Sequence, residues 1–304
     1  MNIDFQLRFD KCVDQNKCKS FIKAGLHGDP AFKNRASGEE ESAICVIPAS
    51  DQDLLAQLKT SPTKNSAYRE IKKSEDKGFT SRRFNYFNHI DDIVEIHRSK
   101  NQRGGKRIST FYNAPRSQFG PKLSNVLPEE KLVCQFHNIT YWGLFESLET
   151  SNSSTPTDNE KLISYIRAFR INDLVWYNMI IGHGAYLKFG VMHKMHSDLL
   201  KNLINSLSPP LYVNYGAGDV EKRQWKRKAL FQNVCVRFDD LNIYNSTFSQ
   251  SNRSRLKDEI PKLLASGEYA HAEIIIRLLR YYPSFDLKSR IIRKLSRIIR
   301  SWPH

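Results

Sequence analysis

The chain has 304 residues, of which 40% are hydrophobic, and it carries a formal net charge of +15. This composition is too apolar for a wholly disordered chain, and no apolar run approaches the roughly 20 residues that a membrane span requires. The excess of Lys and Arg favours an anionic partner such as a nucleic acid, a membrane surface or a phosphorylated small molecule. The N-terminus lacks the apolar stretch of a secretory signal, so we expect a cytoplasmic protein with no transmembrane segment.

The five cysteines are scattered, and their number is odd. Cys12 and Cys18 are too far apart for a CxxC pair, and no matching second pair exists. His193 and His196 share a helix face, but no cysteine or carboxylate joins them. We therefore expect free thiols in a reducing compartment, and no metal.

Residues 1–60 form an N-terminal segment of uncertain structure, although SAICVIP (42–48) is typical of a strand and DQDLLAQLKT (51–60) of a short helix. SAYREIKKSEDKGF (66–79) has a helical pattern. HIDDIVEIH (89–97) repeats apolar residues at positions i, i+3, i+4 and i+7, which predicts a second helix.

From residue 131 onwards the pattern changes to strands rich in branched and aromatic residues, with short turns between them. KLVCQFHN, YWGLFESL, LISYIRAFRI and LVWYNMIIG predict an antiparallel meander with a turn at Asn172-Asp173. After the meander the sequence predicts a helix at 190–206, a strand at 211–216, a helix at 221–231 and a strand at 233–241.

Residues 255–302 are predicted to be helical. The last helix carries a wide apolar stripe that includes Leu287, Ile291 and Leu295, with basic residues outside it. Such a helix favours packing on the domain or on a partner chain, and association with a membrane surface is the alternative. The predicted organisation is an N-terminal segment (1–60), a central domain (61–250) and a basic helical C-terminal extension (251–304).

The loop HGAYLKFG (183–190) leads from a predicted strand into a predicted helix. The first N–H groups of a helix lack intrahelical acceptors and, together with the helix dipole, can bind an anion. Gly190 would let the backbone approach such an anion, and Lys188 would add a positive charge. The alternative is a glycine that serves only the turn.

The stretch from about 66 to 241 resembles the GNAT superfamily of acyl-CoA N-acyltransferases. The resemblance rests on the strand LVWYNMIIG, the loop HGAYLKFG, the helix VMHKMHSDLLKNLI, the strand PLYVNYG and the helix-strand EKRQWKRKALFQNVCVRF. The upstream REIKKSEDKGF and IDDIVEIHRSKNQRGG resemble the N-terminal helices of a poorly characterised branch, with some FemAB-like character. When the loop is aligned on Gly190, two of its residues, Leu187 and Met192, depart from the family's phosphate-binding loop. Lys188 would replace the missing positive charge. These departures leave room for another acyl donor.

This resemblance implies an α/β (α+β) fold in which a mixed, mostly antiparallel sheet is flanked by helices. The strands before and after the loop should splay, and an acyl-CoA, such as acetyl-CoA, should lie between them as co-substrate. Asn214 would bind the pantetheine amide. The pyrophosphate would lie on Gly184, Ala185, Lys188, Phe189, Gly190 and Val191. The implied reaction is direct attack of an amine on the thioester, with no metal.

Candidate catalytic residues flank this predicted donor site. His183, with an ordinary pKa of about 6.5, would be a general base, and Tyr215 would protonate the leaving thiolate. His97 could act across the cleft, and Ser99 and Arg103 could bind the acceptor. Each has a structural alternative. His183 would be a polar residue at a strand end, and Tyr215 would pack within its strand. His97 would be a core histidine, and Ser99 and Arg103 would lie in a solvated loop.

A second reading is a nucleic-acid-binding protein on a degenerate GNAT scaffold, or an acyltransferase that acts on a nucleic-acid or tRNA-linked substrate. The net charge and the arginines interleaved with aromatic residues in SRRFNYFNH motivate it. The cations of EKRQWKRK (221–228) are typical of a solvated face, and otherwise would bind phosphate.

Overall fold

The computed structural model describes residues 2–28, 39–60, 66–103, 106–107, 112–120, 127–128, 132, 134–148, 160–220, 224–239 and 250–281. The helix predicted at the C-terminal end, including its apolar stripe from Leu287, lies outside the described residues.

Apart from the first, Gln15–Gly28, the described helices lie within or overlap segments that were predicted to be helical. Two of them begin at serine N-caps: the Ser50 hydroxyl accepts the N–H of Asp53, and the Ser66 hydroxyl accepts that of Arg69. In chain order the helices are α1 Gln15–Gly28, α2 Asp51–Lys59, α3 Ala67–Glu75, α4 Ile90–Arg98, α5 Val191–Ile204, α6 Gln224–Lys228, α7 Gln250–Ala265 and α8 Tyr269–Tyr281.

The strands include the predicted meander, except that KLVCQFHN and YWGLFESL contribute to one strand, His137–Ser147, and not to two. Several other strands were left open by the sequence. In chain order the strands are β1 Asn2–Gln6, β2 Glu39–Val46, β3 Thr80–Arg83, β4 Gln102–Arg103, β5 Lys106–Arg107, β6 His137–Ser147, β7 Glu160–Ile171, β8 Leu174–Gly182, β9 Tyr212–Ala217 and β10 Gln232–Asp239. Asn172 makes the tight β7–β8 turn with a φ of 52°, a left-handed conformation that Asn tolerates well.

Eight strands form one sheet in the order β1-β10-β2-β9-β8-β7-β6-β3, and β4 and β5 form a separate small hairpin. The neighbours β1–β10 and β8–β9 are parallel, and the other pairs of the large sheet are antiparallel. The prediction of a mixed, mostly antiparallel sheet flanked by helices is confirmed.

Helices cover both faces of the sheet. On one face Phe21 of α1, Ile93 of α4 and Ile274 of α8 are buried in a cluster that also contains Trp176 and Phe169 of the sheet. On the other face the buried cluster contains Leu54 of α2, Ile71 of α3 and Leu199 of α5, together with Val175 and Val213. The sheet is therefore the middle of three layers.

The N-terminal segment is part of this sheet. β2 lies between β10 and β9, and β1 pairs with β10 at the edge. The described part of the C-terminal extension also packs on the sheet, because the buried Glu273 of α8 bonds Arg167 of β7 at 3.0 Å. Among the described residues, no helix is both long enough and apolar enough to cross a membrane.

Candidate active site between strands β8 and β9

The parallel strands β8 and β9 pair over only part of their length. Their register pairs run from Leu174–Tyr212 to Trp176–Asn214 and then stop, although β8 continues to Gly182. The β7–β8 register shifts just beyond this point, where Arg167 pairs with Met179 and Ala168 with Tyr177. This shift leaves Asn178 as the extra residue of a β-bulge, which bends a strand and re-aims its side chains. The strands therefore separate towards their C-terminal ends.

Asn214 lies where the pairing ends, and its side chain is fully buried. Its Oδ1 accepts the N–H of Gly216 at 2.9 Å, whereas its Nδ2 has no hydrogen-bond partner in the described part of the chain. A buried donor without an acceptor costs about 1–3 kcal/mol, so such a group points to a ligand or a bound water.

Aromatic side chains line the face of the sheet next to this point. The ring of Tyr215 lies 6.3 Å from that of Tyr177, 5.5 Å from that of Trp225 and 6.1 Å from that of Phe231, measured between centroids. The buried Nε1 of Trp225 has no hydrogen-bond partner within the described residues. A second buried donor without an acceptor thus lies on the ring that neighbours Tyr215.

Two neutral histidines of α5 support this aromatic group. His196 bonds the carbonyl of Ala229 through Nε2 at 3.0 Å, which leaves Nδ1 to accept the hydroxyl of Tyr177 at 2.9 Å. Burial lowers the pKa of His196 to about 3, and burial together with the charge of Lys228 lowers the pKa of His193 to about 4. Both rings are therefore uncharged near neutral pH and contribute packing and hydrogen bonds.

Gly190 faces another helix and not open space. Its φ is 73°, and a Cβ atom at this position would overlap the backbone carbonyl of Glu70 in α3. Its N–H donates to the carbonyl of Leu187 at 3.2 Å. The expectation that Gly190 lets the backbone approach an anion is therefore corrected: the close approach is to α3, and a variant of Gly190 would test packing and not ligand binding.

The other amides of the loop are partly used by the protein itself. The N–H of Gly184 donates to Oγ of Ser99 at 2.8 Å, that of Ala185 to Nδ1 of His183 at 3.3 Å, and that of Phe189 to the carbonyl of Tyr186 at 2.9 Å. The N–H groups of Val191 and Met192, which open α5, have no acceptor among the described residues. Val191 is fully buried and Met192 is half-buried, so at the first turn of α5 the amide of Met192 is the candidate for contact with an anion.

Two exposed lysines lie beside that turn. The Nζ atoms of Lys188 and Lys77 lie 4.9 Å and 5.2 Å from the centroid of the Phe189 ring. Both ammonium groups are free to interact with solvent or with an anion, and each is worth about 0.5–1 kcal/mol to the ring at an exposed site. The positive charge predicted at Lys188 is therefore present next to the start of α5.

His183 and Tyr215 do not form one catalytic pair. Tyr215 lies level with Tyr177, and His183 is six residues further along the chain, a distance of about 20 Å in an extended strand. His183 Nε2 lies 3.3 Å from Oε1 of Glu95, which also accepts Nζ of Lys161 at 2.6 Å. The two candidates therefore occupy opposite ends of the gap between the strands.

The remaining candidates lie around α4. His97 is fully buried and its Nε2 lies 2.7 Å from the Tyr165 hydroxyl, so it is a core histidine that is not placed to contact a substrate, which corrects its proposed catalytic role. Ser99 positions Gly184, as given above, and also donates to the carbonyl of Ile96 at 2.7 Å. Arg103 lies in β4, and its side chain is outside the described residues.

Sequence reasoning missed three features of this site: Tyr177, Trp225 and the bulge at Asn178. It also treated the 221–228 segment as a solvated face, yet Lys226 and Lys228 are buried. Lys226 pairs with Asp219 and its Nζ lies 5.1 Å from the Tyr215 ring. The aromatic residues at 225 and 231 were the available signal, because an aromatic in a basic helix must pack somewhere.

Comparison with known proteins gives no family assignment. A scan against protein-family models finds no match, and a search of curated proteins finds no significant relative. The class of protein therefore has to be inferred from the site alone.

Proposed function

We propose that this protein is a GNAT-type N-acyltransferase that moves an acyl group from acetyl-CoA or another acyl-CoA to an amine. The observation that carries the proposal is the separation of β8 and β9 beyond Trp176–Asn214, with a buried amide donor lacking an acceptor at its apex. A gap between two strands suits an extended ligand with alternating amide groups, and the pantetheine arm of CoA is such a ligand. Orphaned donors in the gap are the groups such an arm would satisfy.

The arm would run from the start of α5 towards Asn214. At one end the pyrophosphate would accept the N–H of Met192, with Lys188 adding charge beside it. At the other end a pantetheine carbonyl would accept Nδ2 of Asn214. This direction brings the thioester nearer to Tyr215 than to His183.

The reaction would be a direct displacement at the thioester carbonyl. The nitrogen of a neutral amine attacks the carbonyl carbon, the C–S bond breaks, and the nitrogen loses a proton while the sulfur gains one. Tyr215 is the proposed donor of that proton to sulfur, and Nζ of Lys226, which pairs with Asp219, lies 5.1 Å from the centroid of its ring. The proposed task of His183, with its Glu95 partner, is to keep the loop after β8 in place.

Calorimetric titration with acetyl-CoA and CoA tests the donor site. Asn214→Asp keeps the acceptor for Gly216 and removes the orphaned donor, so it should weaken binding by about 10–100-fold. Lys188→Glu should weaken binding by about tenfold, which corresponds to about 1.4 kcal/mol, because it replaces a positive charge beside the phosphates with a negative one. No heat of binding with wild-type protein for any acyl-CoA would refute the proposal.

Lys59→Glu is the matched control for the charge reversal. Lys59 is also exposed, and its Nζ lies 5.2 Å from the centroid of the Tyr68 ring, but it belongs to α2. We expect this variant to bind acyl-CoA as the wild type does. An equal loss of affinity in both lysine variants would mean that overall charge, and not the start of α5, sets the affinity.

A nucleic-acid partner is the second candidate, and one cavity favours it. A cavity of 430 Å³ is lined by six residues of the segment SRRFNYFNH, together with Pro128 and Thr140; the six are Arg82, Arg83, Phe84, Asn85, Asn88 and His89. The Arg82 guanidinium lies 3.7 Å from the Phe145 ring centroid and 2.5 Å from Glu160, so its charge is partly neutralised. Arg83 also lines this cavity and is exposed, so of the two arginines it is the one more available to a phosphate.

Salt dependence separates this candidate from the first. Binding of single-stranded RNA or DNA through phosphates should weaken steeply as salt rises, and Arg83→Ala should reduce the slope by about one. Acyl-CoA binding should be unaffected by Arg83→Ala. Nucleic-acid binding together with absent acyl-CoA binding would favour a binding protein over an enzyme.

A further inference from the structure

Three cysteines and a histidine from distant parts of the chain converge at the start of β6. The Sγ atoms of Cys12, Cys18 and Cys134 and a ring nitrogen of His137 all lie within 4.8 Å of one another. Cys12 and Cys18 flank the start of α1, and Cys134 and His137 flank the start of β6. Three of the five cysteines of the chain thus meet at one point.

We propose that this Cys3His cluster is a structural zinc site. Zinc in proteins takes four ligands in a tetrahedron, at about 2.3 Å from sulfur and 2.0–2.1 Å from nitrogen. Those lengths place two coordinated sulfurs about 3.8 Å apart, and a sulfur and a nitrogen about 3.6 Å apart. The Sγ atoms of Cys134 and Cys12 are 3.8 Å apart, and Cys12 Sγ and His137 Nδ1 are 3.1 Å apart. Binding would require ligand shifts of a few tenths of an ångström to about one ångström.

The surroundings of the cluster orient these four side chains. The N–H of Phe136 donates to Sγ of Cys134 at 3.4 Å, the kind of bond that stabilises a metal-bound thiolate. Nδ2 of Asn138 bonds the carbonyls of Cys134 and Gln135 at 2.9 and 3.1 Å and fixes the short turn between the two ligands. The aromatic ring of Phe9 stacks on that of His137 with centroids 5.0 Å apart.

The cluster consists of three thiols and one imidazole, a ligand set that structural zinc sites use. A zinc ion with three thiolates and one imidazole carries a net charge of about −1. The buried Arg170 would offset this charge, because its guanidinium carbon lies 5.7 Å from the centroid of the Phe136 ring, between Cys134 and His137 in the chain.

Four protein ligands leave no open position, so the proposed ion is structural and not catalytic. It would link the turn between β1 and α1 to the start of β6. Two of its ligands, Cys12 and Cys134, are 122 positions apart in the chain. The site is distinct from the gap between β8 and β9. Loss of acyl-CoA binding would leave this proposal intact.

Metal analysis of the full chain, purified without a polyhistidine tag or chelator, tests the proposal. Wild-type protein should contain about one zinc ion per chain, and Cys134→Ser and His137→Gln should each lose most of it. The matched control is Cys235→Ser, because Cys235 is a half-buried cysteine of β10 outside the cluster. It should keep the wild-type zinc content. Equal zinc in Cys134→Ser and the wild type would overturn the proposal.

Metal exchange in the wild type covers variants that fail to fold. After chelation, titration with Zn²⁺ should release about three protons per ion, seen as a dependence of the heat on the buffer. Co²⁺ should give the visible bands of a tetrahedral thiolate site. Absence of both signals would overturn the proposal. So would an intact mass, taken under denaturing and non-reducing conditions, that is lower by two hydrogens, since a disulfide would then join two of the thiols.

Discussion

Trp176 and Asn214 are the last paired positions of the parallel strands β8 and β9. Beyond them β8 carries the bulge at Asn178 and continues to Gly182, while β9 continues beside β2. Parallel neighbours in the middle of a sheet ordinarily pair along their shared length, so an early end to the ladder requires either filler side chains or a ligand. The orphaned Nδ2 of Asn214 at that point is a donor that a ligand or a bound water would satisfy.

The first prediction concerns the packing of Gly190. Gly190 and Gly78 have φ values of 73° and 72°, but nothing lies within 4 Å of a Cβ at Gly78, whereas one at Gly190 would meet Glu70. Gly78→Ala should lower the free energy of unfolding by about 1–2 kcal/mol from backbone strain alone. Gly190→Ala should lower it by about 1–3 kcal/mol more, because α3 must move. Equal losses in urea denaturation would show that the close approach carries no cost.

The second prediction separates the two catalytic candidates. Tyr215→Phe should reduce kcat by about 10²–10⁴-fold with donor affinity nearly unchanged, because it removes only the phenolic proton donor. His183→Ala should change kcat much less, because His183 lies about 20 Å along the strand from Tyr215. Single-turnover kinetics with a thiol-detecting reagent measures both. A larger loss in His183→Ala would transfer the acid–base role to the end of β8.

The third prediction is a fall in stability on mild acidification. Burial lowers the pKa of His193 to about 4 and that of His196 to about 3, whereas an unfolded histidine titrates at about 6.5. Between pH 6.5 and about 4 the unfolded state binds the extra protons. Stability should therefore fall as pH falls, by up to about 1.4 kcal/mol per pH unit for each ring.

His193→Phe tests this linkage, because it keeps an aromatic ring beside Trp225 and removes one titrating group. Between pH 6.5 and 5, the slope of its unfolding free energy against pH should be smaller than that of the wild type by the equivalent of one proton. Above pH 7 the two slopes should be equal. Urea denaturation at several pH values measures the slope. An unchanged slope would mean that the folded ring is protonated like the unfolded one.

The fourth prediction concerns the attachment of α8 to the sheet. Glu273 is buried and bonds Arg167 at 3.0 Å, and it also pairs with Arg277. Glu273→Gln leaves buried guanidinium charge uncompensated and should cost about 3–5 kcal/mol. The control is Asp173→Asn, which breaks the exposed 2.6 Å pair with Arg8 and should cost less than about 1 kcal/mol. Similar losses in both variants would show that the α8 pair is not desolvated.

Local sequence patterns predicted the middle of the fold well. The predicted helix at 190–206 is Val191–Ile204, and the predicted strand at 211–216 is Tyr212–Ala217. The helix is amphipathic and the strand alternates. Each pattern is local, so each element can be predicted without knowing its neighbours in the fold. The prediction was less informative for residues 1–60, because β2 gains its partners from β9 and β10, which are far away in the chain.

The same limit applies to the candidate site. The loop at 183–190 and Asn214 were predicted from their positions at element ends, but the contact of Gly190 with Glu70 depends on where α3 lies. The cluster of Cys12, Cys18 and Cys134 was equally invisible, because its spacing matches no local metal motif and only the fold brings the cysteines together.

Hydrogen–deuterium exchange of the protein with and without acetyl-CoA tests the central claim most directly. Acyl-CoA bound between the strands should slow exchange in peptides that cover 177–182, 191–195 and 213–217, and leave those that cover 82–89 unchanged. In these peptides the amides that face the gap or open α5 should gain protection from the ligand, whereas the others already bond within the protein, such as those of His193 and Gly216. Protection confined to 82–89, or none at a saturating ligand concentration, would contradict an acyl-CoA site between β8 and β9.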